Sequence, residues 1–272
     1  MKDNKNMKDN IGFIALGQAG GNIGTIFEKQ GYDVIFINTS PEDLATLTNA
    51  KHTYHIKNGE GCAKNRNKAK DLIIKDFNDI SEQINQKLGK DKEYIYVIFS
   101  AGGGTGSGAS PMLIELLAQY SNKKVGAITI LPAESESPQI AINAYECFNE
   151  LENIDNMGAT FILDNENDKL DKFAINRRFV TLFNSFIDIP QNHSSKGNIN
   201  KEEIRKILST RGATIITKMT KNKSDSSNGN NSNNGNGNMA AITIATATVI
   251  MVTIVITAIT AITTAVIVIF SP

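Results

Sequence analysis

The chain contains the run Ser100-Ala101-Gly102-Gly103-Gly104-Thr105-Gly106-Ser107-Gly108, which lies between an apolar segment at 94–99 and a helical pattern at 109–120. A second run, Gly17-Gln18-Ala19-Gly20-Gly21-Asn22, also follows an apolar segment and opens a helical pattern. Glycine lets the backbone approach a ligand closely, and the first turn of a helix presents free N–H groups at the positive end of its dipole. Two such loops on one sheet edge suit a polyphosphate, although a tight strand-to-helix turn also explains the first run.

Short β-branched or aromatic segments alternate with amphipathic segments across residues 11–217. The pattern predicts strands at 11–16, 33–37, 94–99, 125–131 and 160–163, and helices at 22–30, 63–88, 109–120, 139–151 and 171–187. Because the strands are almost continuously apolar, we expect an α/β fold of three layers, with a parallel sheet covered by helices on both faces. Such sheets bind ligands at the carboxyl ends of their strands, where both glycine runs begin.

Composition excludes several classes of function. The 272 residues include 28 Lys and Arg against 28 Asp and Glu, so no broad basic surface for direct nucleic-acid binding is expected. Two cysteines cannot form a disulfide framework, which favours a reducing, cytoplasmic location. Residues 1–10 form a polar leader without the apolar core of a secretory signal.

The common nucleotide-binding motifs are absent from the sequence. It has no G-x-x-x-x-G-K-[ST], and hence no P-loop lysine. It also has no G-x-G-x-x-G, and the second strand ends in Asn38-Thr39-Ser40 rather than in Asp or Glu. An NAD-dependent oxidoreductase is therefore only a weak alternative.

The glycine run at 102–108 resembles the phosphate loop of the tubulin/FtsZ superfamily of GTP-dependent polymers. Residues 17–22 are similar to the first loop of that family, and residues 38–40 to its second. The stretches at 49–55 and 59–62, with Leu163-Asp164-Asn165, most resemble the TubZ branch of plasmid and phage segregation proteins. The resemblance spans 11–217.

This resemblance implies a GTPase domain that binds GTP or GDP with Mg²⁺. For intact relatives it implies filaments of identical subunits that segregate plasmid or phage DNA with a DNA-bound adaptor protein.

The resemblance also implies roles for individual residues. The two glycine runs would hold the phosphates, with the hydroxyls of Thr105 and Ser107 as further donors, and Glu136 would contact the ribose. In the loop expected to sense the γ-phosphate, Glu60 would reach Mg²⁺ through water, or else be a solvated loop acid. The GTP-binding set is Gly17, Gln18, Ala19, Gly20, Gly21, Asn22, Asn38, Gly102, Gly103, Gly104, Thr105, Gly106, Ser107, Gly108, Glu136, Asn165, Phe173 and Asn176.

Two amides and an aromatic ring in that set are assigned to the base. Asn165 and Asn176 are expected at the guanine edge, because an amide both donates and accepts hydrogen bonds. Phe173 or Phe179 would stack on the base, unless these rings belong to the core.

The run Asn198-Ile199-Asn200-Lys201-Glu202-Glu203 is similar to the family's catalytic loop, Asn-x-Asp-x-x-Asp/Glu, which acts on the nucleotide of the neighbouring subunit. The resemblance gives Glu203 the task of polarising the attacking water, with Asn198 and Asn200 beside it. Asn200 stands where the family has Asp and carries no charge, which puts full hydrolysis by this chain in question. Acids in the first turn of a helix, favoured by its dipole, are the alternative for Glu202 and Glu203.

The composition changes sharply near the end of the chain. An Asn/Gly/Ser linker covers 218–238, and residues 239–269 are all Ala, Ile, Thr, Val or Met. This segment is long enough to span a membrane, so a membrane-tethered nucleotide-binding module is the alternative function.

The same tail fits an out-of-frame reading of the linker repeat. If the Ala, Ile, Thr and Val codons of this tail end in A, a reading shifted by one base encodes Ser and Asn. Where a Met codon contributes its final G, the shifted reading encodes Gly. We expect a disordered, low-complexity tail at 239–272. Complete members of the family carry a second domain after the catalytic loop, whereas this chain offers only residues 211–217 before the linker. We therefore expect a truncated chain with impaired polymerisation.

Overall fold

The structure, a computed structural model, describes residues 6–165, 171–192, 199–220, 242–245 and 265–271. The strands are β1 (Ile11–Leu16), β2 (Asp33–Asn38), β3 (Thr53–His55), β4 (Tyr94–Ser100), β5 (Lys124–Leu131), β6 (Ala159–Asp164), β7 (Gly212–Thr220), β8 (Ile242–Ala245) and β9 (Ala265–Ser271). The helices are α1 (Gly17–Lys29), α2 (Pro41–Ala45), α3 (Arg66–Leu88), α4 (Thr105–Tyr120), α5 (Pro138–Glu152), α6 (Lys172–Ile187) and α7 (Lys201–Ser209). Short 3₁₀ turns lie at Met7–Asn10 and Ile189–Gln191.

The strands form one sheet in the order β3-β2-β1-β4-β5-β6-β7-β9-β8. Strands β1 to β7 are parallel to their neighbours. The strand order reverses between β1 and β4, which pair from Ile11 with Tyr94 to Ala15 with Ile98. Ligands bind at such a reversal in open α/β sheets, and both glycine runs begin there.

Helices cover both faces of the sheet and bury two cores of different composition. The face under α1, α6 and α7 is rich in aromatic rings, with Phe13 stacked on Phe27 at a centroid distance of 4.0 Å. The face under α3, α4 and α5 is mostly aliphatic. The three-layer α/β fold is thereby confirmed.

The predicted elements are all present, with informative shifts at the helix starts. The helices α1 and α4 begin at Gly17 and Thr105 rather than at 22 and 109, because the glycine runs themselves form the first turns. Helix α3 begins at Arg66 rather than at 63, since Ala63 and Lys64 have positive φ angles that a helix cannot contain.

Hydrophobic periodicity did not predict several short elements. These are α2 and β3, which are too short to show a period, and α7 and β7, which follow the catalytic-loop segment. The polar leader also contributes to the core, because Met7 is buried against the aromatic face.

Two segments of the apolar tail are strands. β9 pairs with β7 in parallel, and β8 pairs with β9 in antiparallel orientation. β-branched residues dominate both strands, and such residues favour extended structure. The membrane-anchor alternative for 239–269 falls mostly on residues 246–264, which lie outside the described residues. Within the described part of the chain, none of the helices combines the length and the hydropathy that a membrane crossing requires.

Candidate functional site

The two glycine runs lie against each other at the carboxyl edge of the sheet. Pairing of β1 with β4 places their ends side by side, and a Cβ built on Gly17 would lie 3.4 Å from the amide nitrogen of Gly106. The φ angle of Gly17 is +74°, a conformation that residues with a side chain rarely adopt. The structure therefore brings together the runs that the sequence assigned to one site.

Packing explains some of these glycines and not others. A Cβ on Gly20 would lie 2.2 Å from the Ile98 carbonyl oxygen, and one on Gly108 would lie 2.3 Å from that of Arg66. A Cβ on Gly103, by contrast, would meet no heavy atom within 4 Å. Because the fold does not require a bare backbone at Gly103, the close approach of a ligand is the remaining reason for glycine there.

Both helices that open at these runs begin without a side-chain cap. Neither Leu16 before α1 nor Gly104 before α4 gives one. Side chains do cap α2, α3, α6 and α7, namely Ser40, Asn65, Asp171 and Asn200, whereas α5, which opens with Pro138, also has no side-chain cap. Uncapped first-turn N–H groups at α1 and α4 remain available to an anion, as a phosphate site requires.

Hydroxyl and amide groups around the loops bind one another. The hydroxyl oxygens of Thr39 and Thr105 lie 2.7 Å apart. Asn38 accepts from the Thr39 N–H at 2.8 Å and donates to Asp43 at 3.1 Å, so its amide closes the turn after β2. Asn38 also lines a small depression together with Gly17, Gln18 and Gly21.

Ser107 lies deeper than the sequence suggested. Its side chain is fully buried, and its hydroxyl donates to the Gly103 carbonyl and accepts from Arg66 Nε at 3.2 Å. The phosphate role predicted for this hydroxyl therefore competes with two protein partners.

A buried ion cluster supports the phosphate loop from behind. Arg66 is 4% exposed, donates to the Ser107 carbonyl at 3.0 Å and forms ion pairs of 2.7 Å with Glu146 and Glu150. Burial lowers the pKa of the Arg66 guanidinium, but its hydrogen bonds to Glu150 and Glu146 outweigh that effect and raise the pKa overall. No sequence pattern pointed to Arg66, apart from its position after the sensing loop.

Residues assigned to the base and ribose lie around the start of α6. Asn176 is 5% exposed, and its side-chain oxygen has no hydrogen-bond partner among the residues that the structure describes. A buried acceptor without a partner is costly unless a ligand supplies the donor. Phe173 is 60% exposed in the first turn of α6, while Glu136 lies 3.4 Å from Lys172 Nζ. Asn165 is half-buried at the end of β6.

Phe179 belongs to the aromatic core. Its ring lies 6.4 Å from Phe27, 6.2 Å from Phe161 and 6.1 Å from Phe183. Of the two rings considered for stacking, only Phe173 is substantially exposed.

The predicted sensing loop packs directly on the phosphate loop. A Cβ on Gly104 would lie 2.7 Å from the backbone of Lys64. His55 Nε2 lies 2.8 Å from the Gly59 carbonyl oxygen and 3.2 Å from that of Thr39, which ties this loop to the end of β2. Glu60 is exposed. Among the residues that the structure describes, no group of three or more His, Cys, Asp or Glu is arranged to hold a metal ion.

The predicted catalytic residues lie at the opposite edge of the sheet. Asn200 and Glu203 form a capping box on α7, with Glu203 N–H donating to the Asn200 side chain at 3.0 Å and Asn200 N–H donating to Glu203 at 2.8 Å. Asn198 lies outside the described residues. The structure does not bring Glu203 and the glycine runs together.

Two contacts of α7 with the start of β4 fix this position. Arg205 lies 3.6 Å from Glu93, and the Tyr96 hydroxyl donates to the Leu208 carbonyl at 3.2 Å. The seven residues of β4 span about 20 Å, so the start of α7 is about that far from the phosphate loop of its own chain.

A known protein family also matches this chain. The model of the Tubulin/FtsZ family, GTPase domain, matches residues 10–171. The chain belongs to the tubulin/FtsZ family. This GTPase domain implies binding of GTP or GDP.

Tubulin-like proteins of two kinds are similar to this tubulin/FtsZ chain. The TubZ of a Clostridium botulinum C phage is 38% identical over 216 residues, which cover 77% of this chain and 60% of the relative. A CetZ of Pyrococcus abyssi is 34% identical over 48% of this chain and 38% of the relative. The chain thus spans about 60% of the length of the TubZ relative.

Solved structures show the same fold. The TubZ of Clostridium botulinum phage c-st, truncated at its C-terminal tail, superposes with a TM-score of 0.66 at 37% identity, covering 76% of this chain and 68% of that structure. A GTPγS-form protofilament of Bacillus thuringiensis serovar israelensis TubZ gives a TM-score of 0.63 at 18% identity, covering 74% and 61%.

The tubulin/FtsZ site contains residues that the sequence did not single out. Thr39, Lys64, Arg66 and Asn143 all contact the phosphate loop or its helix. Only Thr39 stood inside a quoted motif. The others lie on separate elements, so no local pattern could have connected them.

Proposed function

We propose that this chain binds GTP and GDP through a domain at 11–217 and hydrolyses GTP when a second copy completes the site. The observation that carries the proposal is the contrast in helix capping: only α1 and α4 begin at a glycine run without a capping side chain, and their starts adjoin at the strand reversal. In this proposal the first-turn N–H groups hold the phosphates, and Glu60 reaches Mg²⁺ through water.

The orphaned oxygen of Asn176 supports guanine as the base. Guanine presents N–H donors on one edge, and a buried side-chain oxygen without a partner is suited to accept from them. Asn165 would serve the same edge, Phe173 would cover the ring, and Glu136 would contact the ribose.

Hydrolysis would take place between two copies. Glu203 lies about 20 Å from the phosphate loop of its own chain, so it reaches a nucleotide only on a neighbour stacked head to tail. A carboxylate there would polarise or position the attacking water. The GTPγS-form protofilament of Bacillus thuringiensis TubZ, which shares the fold, supports this arrangement.

By extension, this chain is proposed as a cytoplasmic filament protein of the TubZ type that segregates plasmid or phage DNA with a DNA-bound adaptor. The similarity to the phage TubZ supports this role. Impaired polymerisation of this chain stays part of the proposal.

Binding is tested first with the full chain and the substitution Asn176→Leu. Because the variant removes an unsatisfied buried acceptor, we expect unchanged or raised thermal stability together with an affinity for GTP about tenfold lower or more. Calorimetry with GTP, GDP and ATP measures the effect, and Asn184→Ala on the same helix is the control. Equal affinity of wild type and Asn176→Leu for GTP would refute the guanine assignment.

Hydrolysis in trans is tested by mixing two defective variants. Glu203→Gln retains the capping box, since Gln serves at this position as Glu does, but loses the charge. We expect it to bind GTP normally and to turn it over at least about 100-fold more slowly. Adding Asn176→Leu chains, which keep Glu203, should restore turnover, because a contact between the nucleotide of a Glu203→Gln chain and the Glu203 of an Asn176→Leu chain has both halves of the site intact. No recovery on mixing, or full turnover by Glu203→Gln alone, contradicts the assignment.

A further inference from the structure

Asn143, on α5, joins the phosphate loop to the sensing loop. Its side chain is 2% exposed, and its Nδ2 lies 3.2 Å from the Gly102 carbonyl oxygen, 3.3 Å from that of Gly103 and 3.1 Å from that of Lys64. Its Oδ1 accepts from Gln139 Nε2 at 3.0 Å, which fixes the orientation of the amide. An amide has two N–H donors, so the three carbonyls share them. The amide nitrogen is thus fully engaged with backbone carbonyls, and the amide oxygen with Gln139.

The geometry of the peptide bond gives these contacts a consequence for ligand binding. In a trans peptide the carbonyl of one residue and the N–H of the next point in opposite directions. Carbonyls of Gly102 and Gly103 that face Asn143 therefore turn the N–H groups of Gly103 and Gly104 away from α5. Within the described residues, neither of these N–H groups donates to a protein acceptor. They are oriented for an anion at the mouth of the loop.

The third contact holds a strained segment. Ala63 and Lys64 have φ angles of +44° and +64°, which are strained conformations for non-glycine residues. Such conformations persist where surrounding contacts fix them, and Asn143 supplies one by binding the Lys64 carbonyl. The backbone of Lys64 is also the surface on which Gly104 packs.

We propose that Asn143 is a positioning residue of the phosphate site. It directs the N–H groups of Gly103 and Gly104 toward the nucleotide phosphates and keeps the sensing loop at 59–63, through the adjoining Lys64, in register with them. The inference rests on the proposed nucleotide site, to which it adds a residue that does not touch the ligand.

The test compares three variants of the full chain. Asn143→Asp keeps the volume but places oxygen against the carbonyls, and Asn143→Leu removes the donors without that repulsion. Gln139→Ala removes an exposed side chain and, with it, only the hydrogen bond that orients the Asn143 amide. Asn149→Asp, on the same helix beside Glu146 and Glu150, is the matched control.

Two measurements separate positioning from general damage. We expect both Asn143 variants to lose about tenfold or more in affinity for GTP and GDP, with a smaller loss in Gln139→Ala, while the affinity for guanosine, followed by ligand-observed NMR, changes less than about twofold. Hydrogen exchange of the amides at 102–108 and 61–66 should accelerate together. The Asn149→Asp control should match wild type in both measurements.

Other results overturn the inference. Equal loss of affinity for GTP and guanosine would mean general damage to the fold rather than phosphate positioning. Unchanged affinity for GTP in the Asn143 variants would also reject it. If wild type binds no guanine nucleotide, the proposed function fails, and the exchange data alone decide: faster exchange at both loops supports positioning by Asn143, and unchanged exchange refutes it.

Discussion

The carboxyl and amino edges of the sheet carry the two halves of the proposed site in different ways. At the carboxyl edge, Gly20, Gly104 and Gly108 lie against backbone from other elements, and buried Arg66 and Asn143 hold the loops. At the amino edge, Asn200 and Glu203 are exposed and bind each other in a capping box within one helix turn.

This difference shows that tertiary packing positions the groups at the carboxyl edge, whereas local helix structure positions those at the amino edge. A phosphate loop must present several N–H groups at fixed positions, which requires support from many elements. A carboxylate that acts on a neighbouring copy has to be exposed, and a capping box orients it without tertiary contacts. Substitutions at the carboxyl edge should therefore cost more stability than substitutions at the amino edge.

Gly20→Ala should have the largest effect. The added methyl group would lie 2.2 Å from the Ile98 carbonyl oxygen, so α1 must move away from β4 at a cost of about 3 kcal/mol, the upper range of overpacking. Denaturant unfolding measures the loss. Gly103→Ala is the control, with a stability change of at most about 0.5 kcal/mol and weakened nucleotide binding. Equal stability of the two alanine variants would remove the distinction between packed and ligand-facing glycines.

Arg66→Met should come second. It removes charge-assisted hydrogen bonds to Ser107 and two glutamates, of which Glu146 is half exposed, so we expect a loss of about 2 kcal/mol. Arg177→Met, at an exposed site on α6, should change the free energy of unfolding by less than about 0.5 kcal/mol. Similar losses for both variants would show that the buried cluster does not support the phosphate loop.

Asn200→Ala addresses the amino edge and should cost about 1 kcal/mol, the usual value of an N-cap. Affinity for GTP should stay within about twofold of wild type, since the proposed nucleotide site lies at the other edge. Unfolding experiments and calorimetry on the same preparation check both statements. A fall in GTP affinity as large as that of Asn176→Leu would contradict the separation of the two edges.

Ala63→Gly should give the smallest effect and the opposite sign. Glycine adopts a φ angle of +44° without strain, but it loses more entropy on folding, so the net gain is below about 1 kcal/mol. Thermal unfolding detects the shift, and Ala141→Gly inside α5 should destabilise instead. Destabilisation by Ala63→Gly would mean that the positive φ angle carries no strain.

Sequence patterns located the sheet, its long helices and both glycine runs, because hydrophobic periodicity and glycine content are local properties. They missed the starts of α1 and α4, where glycine-rich residues are helical only because β1 and β4 hold them. The pairing of Asn200 with Glu203 is also local. In the single chain Glu203 lies in the first turn of α7, as the alternative interpretation of the sequence expected.

The sequence by itself determined the α/β alternation, the family and the two phosphate runs, since each follows from residue types at fixed spacing. Only the tertiary structure decided which glycines are required by packing, that Ser107 is buried behind the loop, and that Arg66 and Asn143 support it from α3 and α5. It also placed Glu203 at the far edge of its own sheet. These results depend on distances between elements remote in sequence, which no local pattern of residues encodes.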